Sequence, residues 1–157
     1  GTNFDLPVHM ENDNPNIVAA QFEVTMPQGV TLKTVGNSSD ETRYITKEPN
    51  RLIDHSVRVK QIGSESSGYR YRVMMLSPGN KTIHANRGQM FAIRGSIDNA
   101  ATLEENQTYP ITLQNVVLSD SLGHNVLTGH ALAVANTAAF IQGMAALAGA
   151  GYAEAFT

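Results

Sequence analysis

The chain has 157 residues, 41% hydrophobic and 16% charged, with no Cys and no Trp. That length suits one domain with a proper hydrophobic core. A formal charge of −3 and a pI near 5.9 argue against a nucleic-acid binder, which needs a basic stripe to release counterions, and without Cys there is no disulfide, thiolate metal site or cysteine nucleophile.

The start, Gly1-Thr2-Asn3-Phe4-Asp5, lacks a basic region followed by an apolar run, so it does not read as a signal peptide. Gly rather than Met at position 1 fits a trimmed chain. No stretch reaches the roughly 18–20 apolar residues needed to cross a bilayer, and membrane attachment is expected only through an anchor outside this sequence. Glu11-Asn12-Asp13-Asn14, with Asn16, offers oxygens that calcium could use, but the spacing misses the EF-hand loop. Pro15 and the Asn density read more simply as a turn. No cofactor is expected, calcium at this cluster being an alternative.

From Val18 to Met26 the pattern alternates, with Val18, Ala20, Phe22, Val24 and Met26 on one side and Ala19, Gln21, Glu23 and Thr25 on the other. Period-2 alternation predicts a strand with one face on a core and one toward water. Pro27-Gln28-Gly29 ends it, Val30 to Val35 resumes, and Gly36 to Asp40 is a loop by composition. Val57 and Val59 alternate with Arg58 and Lys60, a Gly/Ser-rich turn spans Gly63 to Gly68, and Tyr69 to Leu76 runs back. This pattern predicts a hairpin. Ser77-Pro78-Gly79-Asn80 is a turn, Gln89 to Ile97 a strand, and Tyr109 to Leu118 another; short strands follow at Asn125 to Leu127 and Ala131 to Ala135. Strands at short intervals with no helical stretch before residue 136 predict an all-β antiparallel sandwich or jelly roll.

The end differs. Eleven of the 17 alanines lie between Ala131 and Ala155. Phe140, Ile141, Met144 and Leu147 have helical spacing, so residues 137–157 are expected to be an Ala/Gly-rich tail, either a linker or a short helix over 138–148. Gly143, Gly149 and Gly151 weaken the helix.

Catalytic patterns are missing. His9, His55, His84, His124 and His130 form no HExxH and no i, i+4 helical pair, and read as solvated loop histidines, with a chance metal site at His124 and His130 as the alternative. Gly63-Ser64-Glu65 and Gly95-Ser96-Ile97 do not complete a nucleophile elbow. Glu104 and Glu105 are adjacent and point to opposite sides, a poor pair for glycoside cleavage. Tyr69 and Tyr71 share a strand face continued by Val73 and Met75, so they read as core rather than as a sugar-stacking platform. The chain is not expected to be an enzyme.

Three ordered stretches carry a family resemblance: Ile17-Val18-Ala19-Ala20-Gln21-Phe22-Glu23-Val24-Thr25-Met26-Pro27-Gln28-Gly29-Val30, Tyr71-Arg72-Val73-Met74-Met75-Leu76-Ser77-Pro78-Gly79-Asn80, and Tyr109-Pro110-Ile111-Thr112-Leu113-Gln114-Asn115-Val116-Val117-Leu118-Ser119-Asp120. Together they resemble the cohesin-like domains of surface and secreted proteins of gut Bacteroidetes, over a domain bounded at about residues 4–136. The resemblance implies a jelly-roll sandwich of about nine strands. It also implies an extracellular or cell-surface, non-catalytic, monomeric module that holds a protein partner, either a dockerin-like module or another surface protein. A carbohydrate-binding module is the alternative function. Cohesins bind with a sheet face rather than a short motif, so no binding residue transfers by position. The candidate contact face is therefore taken from the outward residues of one hairpin: Arg70, Arg72 and Met74, with Arg58 and Lys60 on the preceding strand. The other reading of these five is an ordinary basic patch on an acidic domain.

Overall fold

The computed structural model describes residues 2–11, 16–37, 39–65, 68–85, 88–97, 108–109, 111–128, 131–133, 136–137 and 145–148. Its strands are β1 (Thr2–Glu11), β2 (Ile17–Pro27), β3 (Val30–Leu32), β4 (Ile45–Lys47), β5 (Ser56–Glu65), β6 (Gly68–Leu76), β7 (Gln89–Ile97), β8 (Thr108–Tyr109), β9 (Thr112–Asp120), β10 (Asn125–Thr128), β11 (Ala131–Ala133), β12 (Asn136–Thr137) and β13 (Ala145–Ala148). Among the described residues all regular structure is strand, and eight of these strands run four residues or more, close to the count expected. One sheet follows the order β11-β13-β1-β7-β3, with β4 also on β7; the other follows β10-β9-β2-β6-β5. A third, two-stranded sheet pairs β12 with β8. The all-β antiparallel sandwich predicted from alternation is the observed architecture, with β1 and β13 as a parallel pair.

The core lies between the two large sheets, and its side chains are those the alternation selects. Phe22, Val24 and Met26 of β2 are fully buried, as are Val73 and Met75 of β6, with Val57 and Val59 of β5 nearly so. They face Leu6, Val8 and Met10 of β1 and Met90, Phe91 and Ile93 of β7, which belong to the same apolar cluster. Tyr71 is buried and Tyr69 packs partly buried against the cluster, as the core reading of that face expects. The β5–β6 hairpin is antiparallel, from Ser56 opposite Leu76 to Glu65 opposite Gly68. Gly68 is obligatory: its φ is +142°, and a Cβ there would overlap the Met26 carbonyl oxygen.

Four features depart from the sequence reading. First, β1 was not anticipated. It alternates Phe4, Leu6, Val8 and Met10 inward, but Pro7 at its centre has no N–H and disguises a strand that lies inside a sheet. The pairing with β13 begins at Val8, just beyond that proline.

Second, Ala145–Ala148 is a strand rather than part of a helix over 138–148, pairing with β1 on one side and β11 on the other. Intrinsic helix preference is a few tenths of a kcal/mol per residue and yields to two ladders of backbone hydrogen bonds. The rest of the 138–148 segment lies outside the described residues.

Third, His55 is not a solvated loop residue. It is 1% exposed, with Nε2 3.0 Å from the Val18 carbonyl. Because a carbonyl only accepts, Nε2 carries the proton there. Burial holds the imidazole pKa below its ordinary value, opposed by the Val18 carbonyl and by Asp54.

Fourth, the segment between β4 and β5 carries a buried cation that nothing in the sequence marks. Arg51 is 3% exposed. Its guanidinium donates from Nη1 to the carbonyls of Met10 (2.9 Å) and Gly88, from Nε to that of His84 (3.0 Å), and from Nη2 to that of Ala85 (3.3 Å). Burial lowers its pKa to about 10, which still leaves it charged at neutral pH. One side chain thus gathers the end of β1 and the approach to β7.

Candidate functional site

The five candidate residues converge on the outer face of the five-stranded sheet. With Val57, Val59, Tyr71, Val73 and Met75 turned inward, the pleat sends their neighbours outward. Register aligns them in rows across the strands. Arg58 on β5 is opposite Met74 on β6, Met74 is opposite Gln21 on β2, and Gln21 is opposite Val117 on β9. The next row runs Lys60, Arg72, Glu23 and Gln114 over the same strands. Arg70 lies opposite Thr25.

Of the four cations on this face, Arg70 and Arg72 meet a carboxylate. Glu23 sits between Arg70 (3.9 Å from its Oε1) and Arg72 (3.8 Å from its Oε2), and its side chain is 13% exposed. The expected wet-face position of Glu23 is therefore a half-covered one, under two arginines. Arg58 and Lys60 are exposed on the edge strand β5. The apolar share comes from Met74 and Val117, both half-buried, and from Leu76, 45% exposed at the end of β6. Flat, polar and cationic with an apolar centre, the face can make many directional contacts and attract an acidic surface. Among its described residues there is no nucleophile–base pair.

Turns beside this face are locked by carboxylates. Asp54 Oδ2 accepts from Ser77 Oγ and from the Gly79 N–H, both at 2.7 Å, and these bonds hold its pKa down. Asp120 Oδ1 accepts from the N–H groups of Leu122 and His124, both at 2.9 Å, with the same consequence, the His124 amide contributing most. These acids are spent on loop geometry rather than on chemistry.

The remaining sequence candidates are scattered or undescribed. His9 is half-buried on β1, while His84 and His124 are exposed in separate loops. His130, positions 12–15 of the acidic cluster, and Glu104 and Glu105 lie outside the described residues. Among the described residues no group of three or more His, Cys, Asp or Glu stands together as a metal site.

One feature was not foreseen. A cleft of about 520 Å³ opens between the two sheets, with Tyr69 and Tyr71 on one side and Leu32 and Tyr44 opposite. The 40–44 turn forms its rim. Asp40 Oδ1 accepts from the Thr42 N–H at 2.8 Å, and Arg43 Nη1 donates to the carbonyls of Ser39 (2.9 Å) and Asp40 (3.0 Å). The Arg43 guanidinium also stacks over the Tyr44 ring, 4.6 Å from its centroid. Sequence shows the tyrosines but not the gap, because the gap exists only where β3 and the 40–44 turn stand across from β5 and β6.

No protein-family model matches the chain, and no curated protein sequence matches it. Among solved structures, a non-cellulosomal cohesin from the hyperthermophilic archaeon Archaeoglobus fulgidus aligns with a TM-score of 0.48 and 16% identity, over 81% of this chain and 74% of that one. The sixth cohesin of scaffoldin B from Acetivibrio cellulolyticus, solved in complex with a mutant dockerin, aligns with a TM-score of 0.46 and 13% identity, over 90% of this chain and 96% of that one.

Proposed function

We propose that this chain is a non-catalytic protein-binding module that docks a partner on the outer face of its five-stranded sheet. The observation that carries the proposal is the row structure of that face. Arg58 stands opposite Met74 and Lys60 opposite Arg72, while Arg70 and Arg72 flank Glu23, on a chain whose formal charge is −3. Cations concentrated on an otherwise acidic molecule favour encounter with an acidic partner surface, and Arg beside a half-buried Met supplies anchor chemistry. The partner class is a dockerin-like module or another surface protein, in an extracellular or cell-surface setting, with the chain acting as a monomer and without a cofactor; these particulars follow the resemblance read in the sequence.

The test compares the parent with an Arg58→Glu/Lys60→Glu variant in capture from an envelope protein extract. Both positions are exposed, so the variant should keep its stability within about 0.5 kcal/mol. It should lose a partner that the parent retains at low salt and releases as salt rises. Equal capture by both proteins rejects this face as the docking surface.

A further inference from the structure

We propose that the cleft between the sheets is a second binding site, taking the end of a short oligosaccharide and meeting the protein-docking face only at Lys60. Its volume of about 520 Å³ falls inside the roughly 300–1,000 Å³ of small-ligand pockets. The lining suits a polyol better than other ligands. Sugar hydroxyls both donate and accept, and the walls offer both kinds of partner: the Glu41 carboxylate accepts, the Gln61 amide does both, and the Tyr44 and Tyr69 hydroxyls do both.

Aromatic surface supplies the rest. Tyr69 and Tyr44 are each only half-buried although both pack against the core, so each keeps part of its surface available to the C–H face of a pyranose ring. Tyr71 is buried deeper and anchors the floor. Burial raises its pKa to about 12, so its hydroxyl keeps its proton throughout the physiological range. The site is also pre-organised. The Arg43 hydrogen bonds and its stacking on Tyr44 fix one wall, and the Val59 N–H donates to the Glu41 carbonyl at 2.9 Å, pinning that wall to the edge of β5.

Other ligand chemistries fit less well. A phosphorylated ligand would meet the Glu41 carboxylate, and of the two cations on the lining Arg43 is already engaged by two carbonyls and a ring, which leaves Lys60 alone to offset that carboxylate. A lipid tail would strand the polar groups of most of the lining, since only Leu32 and Val59 are purely aliphatic.

The chain has five Tyr and no Trp, so tyrosine emission is directly readable. The full chain is titrated with cellotetraose, xylotetraose, mannotetraose and chitotetraose at up to millimolar concentration, reading tyrosine emission and amide NMR shifts. At least one sugar is expected to saturate, with shifts confined to residues 31–32, 41–44, 59–61 and 69–71. Tyr69→Ala and Glu41→Gln should each weaken that sugar tenfold or more, while amide shifts elsewhere show the fold intact. Arg58→Glu, which changes the docking face at a residue outside the cleft lining, should bind it within about threefold of the parent, which separates this site from the docking face. The proposal is overturned if no sugar produces saturable shifts, if the shifts centre on Arg72 and Gln114 instead, or if both cleft variants bind as the parent does. It is equally overturned if an acidic peptide fills the cleft and none of the four sugars does.

Discussion

Phe22 of β2 and Phe91 of β7 stack across the sandwich, ring centroids 6.4 Å apart and planes inclined by 16°. Both are fully buried, and the pair joins the central strand of one sheet to the strand that pairs with β1, β3 and β4 in the other. Phe22→Ala and Phe91→Ala should each cost about 3–5 kcal/mol, from lost transfer energy and the cavity left behind. The double variant should cost less than the two losses added, by a coupling of about 0.5–1.5 kcal/mol. Urea midpoints of the four proteins check this.

Acid sensitivity should trace to His55. Its folded pKa lies below the unfolded value because burial penalises the charged ring. The unfolded chain therefore binds more protons between the two values, and stability rises with pH there. The contribution is fully present above about pH 6.5, the ordinary histidine value, and is lost as pH falls through the folded pKa. Melting temperatures between pH 7.5 and pH 5 should fall for the parent and fall less for His55→Gln.

Arg51→Ala should destabilise strongly, by at least about 3 kcal/mol, because it leaves the carbonyls of Met10, His84, Ala85 and Gly88 without that donor. Arg51→Lys should recover only part of the loss, since one ammonium cannot reproduce a planar fork reaching four oxygens. Thermal melts of both variants decide between fork geometry and charge alone.

Cutting the chain after Thr137 removes β13 and leaves the Val8–Glu11 edge of β1 without that partner. Each ladder hydrogen bond lost is worth about 0.5–1.5 kcal/mol, and each kcal/mol shifts the melting temperature by about 2–4 °C at this size. The shortened chain should therefore melt several degrees lower. It should also self-associate, because an uncovered strand edge invites pairing. Scanning calorimetry and light scattering report both effects; a melt unchanged within a degree or two would mean the segment is a linker.

Calcium at the Glu11–Asn16 cluster is testable by removal. A bound structural ion stabilises by mass action, so EDTA should leave the melting temperature unchanged if the chain works without metal. A drop of several degrees restored by calcium would assign the cluster as a site.

The sequence by itself determined which side chains form the core of β2, β5 and β6, because period-2 alternation is a local property and burial follows from it directly. For the same reason it determined that Arg58, Lys60, Arg70, Arg72 and Met74 point away from that core. Tertiary structure decided what those residues face. Register set Arg58 against Met74 and Glu23 between two arginines, and no local pattern encodes how one strand slides past another. It also decided the fates of Arg51 and His55, whose burial arises where loops fold over strand ends from distant parts of the chain. β13 followed the same logic: a short Ala-rich segment has weak preferences of its own and takes the conformation its two neighbouring strands impose. The cleft is the extreme case, since a space between two sheets belongs to no segment and exists only once both are in place.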